Sequence, residues 1–162
     1  MNIRPALESE APDLCDVVMR AKSHWGYSPE ALERWGPALA VAPADIRDKP
    51  TFVAVTGDEI VGFYSLCTSP GAWELDNLWV LPKFMHQGIG RALLGHALAT
   101  AARGGATEVT VDADPNAESF YLECGAIRRG DVPAPIAGQP ERVRPQLAFV
   151  QPDKTLETDR AS

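Results

Sequence analysis

The chain lacks what several classes of protein require. It has only three cysteines, Cys15, Cys67 and Cys124, in 162 residues. An odd number at wide spacing supports neither a disulfide framework nor a zinc site, and fits a reducing, cytoplasmic setting. The three histidines, His24, His86 and His96, have no metal-ligand spacing, so no metal is expected. No apolar run reaches the ~18 residues of a membrane-spanning helix, and no membrane partner is expected. Met1-Asn2-Ile3-Arg4-Pro5 runs into Glu8, Glu10 and Asp13, unlike a secretion signal. Positive charge is also scarce: 15 Lys and Arg against 22 Asp and Glu leave a net charge of −7. Such a surface disfavours a broad grip on nucleic-acid phosphates, leaves room for a local basic pocket and can steer a cationic partner.

What remains is an ordinary globular composition, 45% apolar and 23% charged, at a length that suggests one domain. The spacing predicts a short strand over Ile3–Ala6. A helix over Glu10–Lys22 follows, with Leu14, Val17, Val18 and Ala21 on its apolar face. His24-Trp25-Gly26-Tyr27 breaks it. Ser28-Pro29 then opens a second helix with a stripe of Leu32, Trp35 and Leu39. Thr51–Val55 and Ile60–Cys67 read as a hairpin around Gly57-Asp58, and Trp73–Val80 as a third strand. Gly88–Arg103 is the clearest helix, closed by Gly104-Gly105. A strand over Glu108–Val111, a short helix over Asn116–Cys124, Pro- and Gly-rich turns and a last strand over Arg144–Val150 complete the order. The class is mixed α/β (α+β): a single domain over residues 1–150, with a mostly antiparallel sheet flanked by helices. Residues 151–162 are polar and aperiodic, and are expected to be a disordered tail.

Chemistry concentrates in two segments. In Leu78-Trp79-Val80-Leu81-Pro82-Lys83-Phe84-Met85-His86-Gln87-Gly88-Ile89-Gly90-Arg91 a strand ends, a loop follows and a long helix opens at Gly-x-Gly. Free N–H groups and the positive end of the helix dipole suit a phosphate there. The third glycine of a Rossmann fingerprint is missing, and no P-loop is present. In the second segment, Asn116-Ala117-Glu118-Ser119-Phe120-Tyr121 opens a short helix that ends at Cys124-Gly125-Ala126. Asp112-x-Asp114-x-Asn116 imitates a calcium loop, but Ala117 stands where that loop needs glycine.

Together, in order and spacing from Thr51 to Ala126, these segments resemble the GNAT acetyltransferase superfamily. That resemblance implies a GNAT-like fold and acetyl-CoA as the donor. Its coenzyme segment, [QR]-x-x-G-x-[GA], falls on Met85-His86-Gln87-Gly88-Ile89-Gly90, with Met85 replacing the usual Arg or Gln. Backbone N–H groups from His86 to Arg91 would then hold the pyrophosphate, helped by Gln87 or Arg91. The pantetheine arm would lie along Trp79 and Val80, with the Val80 N–H as oxyanion donor and Asn116 as a further contact.

The resemblance places Glu74 where many relatives carry a catalytic carboxylate, and Asp76 is the next candidate. Either residue could instead be a solvated residue of a polar strand face. Tyr121 falls on the family's general acid, or is a core aromatic beside Phe120. In the resembled fold the linker His24–Tyr27 would border the acceptor pocket, so Trp25 and Tyr27 could bind a cation through their rings, or simply pack a helix junction. The implied activity is transfer of an acetyl group to the amine of a small molecule or peptide, by direct attack in a ternary complex. The alternative is a non-catalytic acyl-CoA-binding module of the same fold. A homodimer is implied by the resemblance alone.

Overall fold

The chain forms seven strands of one sheet in the computed structural model, which describes residues 1–151. The strands are β1 (Asn2–Pro5), β2 (Thr51–Thr56), β3 (Glu59–Cys67), β4 (Ala72–Val80), β5 (Glu108–Asp112), β6 (Ile127–Pro133) and β7 (Val143–Val150). The helices are α1 (Ala11–His24), α2 (Pro29–Leu39), α3 (Pro43–Asp48), α4 (Ile89–Arg103) and α5 (Glu118–Glu123). The strand order is β1-β2-β3-β4-β5-β7-β6, and every neighbouring pair is antiparallel except β4 with β5.

Two apolar layers clamp the sheet. On one face, Leu14, Val17 and Val18 of α1 pack with Ile46 of α3, Val53, Phe63 and Leu81. On the other, Leu93, Leu94, Ala97 and Ala101 of α4 pack with Tyr64, Leu66, Val109 and Tyr121. β3 runs under both layers, so it buries six consecutive residues, Val61–Leu66, instead of alternating. Gly62 sits where a Cβ would lie 2.7 Å from the Trp79 carbonyl oxygen, so β3 and β4 approach as only glycine allows.

Two elements differ from the sequence expectation. α3 was not anticipated; it is six residues long and buries only Ile46, too little to show a period. It forms because Pro43 pre-sets its first turn and the Asp45 carboxylate accepts from the Ala42 N–H at 2.8 Å. The stretch after Gly125, expected as turns, holds β6. Every residue of that strand is exposed, so no apolar alternation marks it. It is an edge strand specified by pairing with β7, with a bulge at Arg129. The expected tail lies outside the described residues except for Gln151, whose backbone N–H donates to Thr107 O at 2.8 Å and whose side chain donates to Leu98 O at 2.8 Å.

Candidate active site

The site begins as a flaw in the ladder. β4 pairs with β5 only at Ala72, Trp73 and Glu74. On its other edge, Asn77 faces Ser65 and Leu75 faces Leu66, so Asp76 is an extra, bulged residue. A bulge bends and twists its strand. Beyond Glu74 the two parallel strands therefore diverge, and a wedge opens between them. The Leu81 N–H donates to Val61 O at 2.8 Å, and Val80 lies opposite Gly62. Antiparallel alternation then turns the N–H and C=O of Val80 and Leu78 away from β3, into the wedge.

One side of the wedge leads to the start of α4. A cavity of about 450 Å³ is lined there by Leu78, Trp79, Val80, Met85, His86, Gly88, Gly90, Arg91, Phe120 and Tyr121, among others. Gly88 caps the helix at φ 84°, and His86 before it also takes a left-handed φ of 62°. A non-glycine residue there is strained, and such strain concentrates where backbone must be aimed. The first helical bond runs from the Ala92 N–H to Gly88 O. Among the described residues, the backbone N–H groups of His86 through Arg91 have no hydrogen-bond acceptor. A row of unpaired donors at a helix N-terminus fits a pyrophosphate.

The other side opens beneath α1 and α2, into a cavity of about 410 Å³. Its polar wall joins elements far apart in the chain. Lys22, in the last turn of α1, donates to Asp114 Oδ2 at 2.6 Å. The Tyr27 hydroxyl donates to the same carboxylate at 2.9 Å and accepts from Asn116 Nδ2 and Arg142 Nη2, each at 3.0 Å. Asn116 also donates to Asp114 Oδ1 through its backbone N–H and its amide, both at 2.9 Å. Burial opposes ionisation of Asp114. The Lys22 bond, the Asn116 N–H, the Lys22 charge and Tyr27 together outweigh it, so the carboxyl titrates below its ordinary range. Further round the cavity, Lys49 pairs with Asp76 at 3.0 Å and Arg144 with Asp112 at 3.2 Å. Both cavities touch Trp25, Leu78, Trp79, Ala117 and Tyr121, so they meet at the mouth of the wedge.

Residues 17–126 match the model of the acetyltransferase (GNAT) family. The chain belongs to this family. No curated protein matches the sequence. Among solved structures, the PaiA N-acetyltransferase from Thermoplasma acidophilum, in complex with coenzyme A, aligns with a TM-score of 0.77 at 19% identity. That alignment covers 92% of this chain and 98% of the other. The GCN5-related N-acetyltransferase from Rhodopseudomonas palustris aligns at 0.75 and 24% identity, covering 92% and 94%. The ribosomal-protein-S18-alanine N-acetyltransferase from Escherichia coli aligns at 0.71 and 15% identity, covering 94% and 95%. At these identities the likeness is one of fold.

Within this GNAT fold the expected residues divide by position. Trp79, Val80, Met85, His86, Gly88, Gly90 and Arg91 line the cavity at α4. Gln87 and Ile89 do not: the Gln87 amide donates to Lys83 O at 3.3 Å, and Ile89 is buried in the core. The Asn116 amide nitrogen is spent on Tyr27 and Asp114, which leaves its carbonyl oxygen without a partner among the described residues.

Tyr121 lines both cavities, its ring set edge-on against Phe120 and Phe149. Its hydroxyl bonds to none of the described residues, and burial pushes its pKa well above that of a free tyrosine. Asp76 lines the cavity beneath α1 and α2, whereas Glu74 is exposed at the last β4–β5 pair and is not part of that lining. Burial, then the nearby Asp76 and Asp112 charges, raise the Glu74 pKa against the pull of Lys49. Trp25 and Tyr27 do face a cation, but it belongs to the protein: Lys22 Nζ lies 5.8 Å and 4.9 Å from their ring centres.

Sequence reasoning passed over Lys22, Trp35 as a site residue, and Arg142. Lys22 left a signal. It continues the Leu14–Val18 series by another i+4 step, so it occupies an apolar-face position of α1 and is only 8% exposed. Arg142, in a Pro- and Gly-rich connection, carried none.

Proposed function

We propose that this acetyltransferase moves the acetyl group of acetyl-CoA to a primary amine of a small molecule or peptide, by direct attack in a ternary complex. The observation that carries this reading is the meeting of the two cavities at the β4–β5 wedge, with Tyr121 on both. Acetyl-CoA, when bound, supplies an acetyl group activated as a thioester. The N–H groups of His86 to Arg91 hold its pyrophosphate, taking over from the side chain that Met85 lacks. The edge of β4 at Leu78 and Val80 offers N–H and C=O to an extended arm, as a neighbouring strand would. The Val80 N–H stands ready to donate to an oxyanion.

An ammonium of pKa about 10.4 must lose a proton before it attacks. Glu74, with its raised pKa, takes that proton directly or through water, and Asp76 is the alternative acceptor. Tyr121 then donates its hydroxyl proton to the leaving sulfur. Its high pKa keeps the proton in place until a strong base appears.

Binding and turnover are tested separately. Acetyl-CoA at millimolar concentration must raise Tm, because a ligand selective for the folded state stabilises it. Free-thiol release across a panel of amines must then detect turnover. A Tm shift without turnover on any amine would favour a non-catalytic acyl-CoA-binding module; no shift would refute both.

A further inference from the structure

In one part of the acceptor-side wall two buried cations share a single carboxylate. The Lys22, Arg142 and Asp114 side chains are 10%, 6% and 7% exposed. Among the described residues Asp114 is the one carboxylate shared by both cations, at 2.6 Å from Lys22 Nζ and 3.5 Å from Arg142 Nη2. The other cations of the cavity, Lys49 and Arg144, have their own carboxylates, and Asp45 caps α3. The cluster therefore keeps a net charge of about +1 away from water, a costly arrangement without a counter-ion.

Its hydrogen bonding is incomplete in the same place. Arg142 donates through Nη1 to Ala134 O at 2.9 Å and through Nη2 to the Tyr27 hydroxyl at 3.0 Å. Its Nε is buried and has no partner among the described residues. Nε and Nη2 form one edge of the guanidinium, the edge that a carboxylate grips with both oxygens. Tyr27 and Trp35 flank the guanidinium, their ring centres 5.3 Å and 5.5 Å from Cζ.

We infer that the acceptor carries a carboxylate as well as its amine, and that Arg142, with Lys22 beside it, binds that carboxylate. The substrate class is then a free amino acid or a similarly small amino-carboxylate. The net acidity of the chain does not oppose this, since the anion binds to a local pocket. The inference rests on reading this cavity as the acceptor site of an acetyltransferase.

The test pairs free amino acids with their own amides and decarboxylated amines. Thiol release is measured with acetyl-CoA, and Tm shifts are measured with millimolar acceptor at saturating coenzyme A. At least one free acid should react with kcat/KM roughly tenfold or more above that of its amide, as expected for a charge-assisted contact. Arg142→Gln should collapse that ratio toward one, chiefly through KM, while Arg142→Lys should keep part of it. The coenzyme A shift reports whether each variant is folded.

Best turnover on amines without a carboxylate would overturn the inference, as would R142Q slowing acid and amide alike. Failure of the acetyltransferase reading looks different. No amine would release thiol, yet acids would still raise Tm in the wild type and not in R142Q, which would uphold the carboxylate site. Neither a Tm shift nor thiol release with any acid would remove it.

Discussion

Asp114→Asn separates a buried charge cluster from ordinary packing. The substitution preserves shape and the two Asn116 bonds to Oδ1, but it turns Oδ2 into a donor and leaves Lys22 and Arg142 without the carboxylate they share. Uncompensated buried charge of this kind costs about 3–5 kcal/mol. In a domain of this size that lowers Tm by roughly 10 °C. Lys22→Met is the informative contrast. It leaves one cation with one carboxylate, and its stem still packs against Trp35, whose ring centre lies 4.6 Å from Nζ. It forfeits one charged hydrogen bond and a cation–π contact, about 1–2 kcal/mol.

Urea unfolding followed by circular dichroism measures both variants, with equal slopes required for the comparison. Because Asp114 titrates below its ordinary range, its stabilisation is complete above the unfolded carboxyl pKa. It disappears as pH falls through the lower, folded value. The gap between wild type and D114N should therefore be full at neutral pH and close in acid. If K22M is as damaging as D114N, or D114N costs under about 1 kcal/mol, the excess-charge argument is wrong.

Three other outcomes follow from the same geometry. Tyr121→Phe should cut thiol release by roughly 100-fold or more while keeping the acetyl-CoA thermal shift and most of the stability, since the hydroxyl bonds to none of the described residues; unchanged turnover would remove Tyr121 as the acid. If Glu74 is the base, kcat/KM should fall with decreasing pH through a midpoint above the ordinary carboxylate range, and Glu74→Gln should abolish that limb; an identical profile in the variant would pass the role to Asp76 or water. Gly62→Ala should cost several kcal/mol and weaken acetyl-CoA binding, because its Cβ would meet the Trp79 backbone oxygen and push β3 from β4 beside the wedge; a Tm within a few degrees of wild type would contradict that approach.

The parts legible in the sequence are those with a local cause. Gly88-Ile89-Gly90 marks the start of a 15-residue amphipathic helix with free N–H groups, because those groups belong to consecutive residues. β3 and α4 bury enough apolar surface to show their pattern. β6 and α3 do not, and each needs a neighbour or a cap to exist. Trp25 and Tyr27 were readable as aromatic residues but not as partners of Lys22, because Asp114, distant in the chain, holds both the Lys22 ammonium and the Tyr27 hydroxyl.

By itself the sequence determined the family, the order of the elements and the glycine-flanked N-terminus of α4 with its free N–H groups, all consequences of spacing along one stretch of chain. The tertiary structure alone decided where the wedge opens, through a bulge at Asp76 visible only in the register with β3. It alone brought Lys22, Tyr27, Asp114 and Arg142 together. Charge balance is a property of what a side chain meets after folding, and the meeting of residues 22 and 142 on Asp114 leaves no periodic trace in sequence.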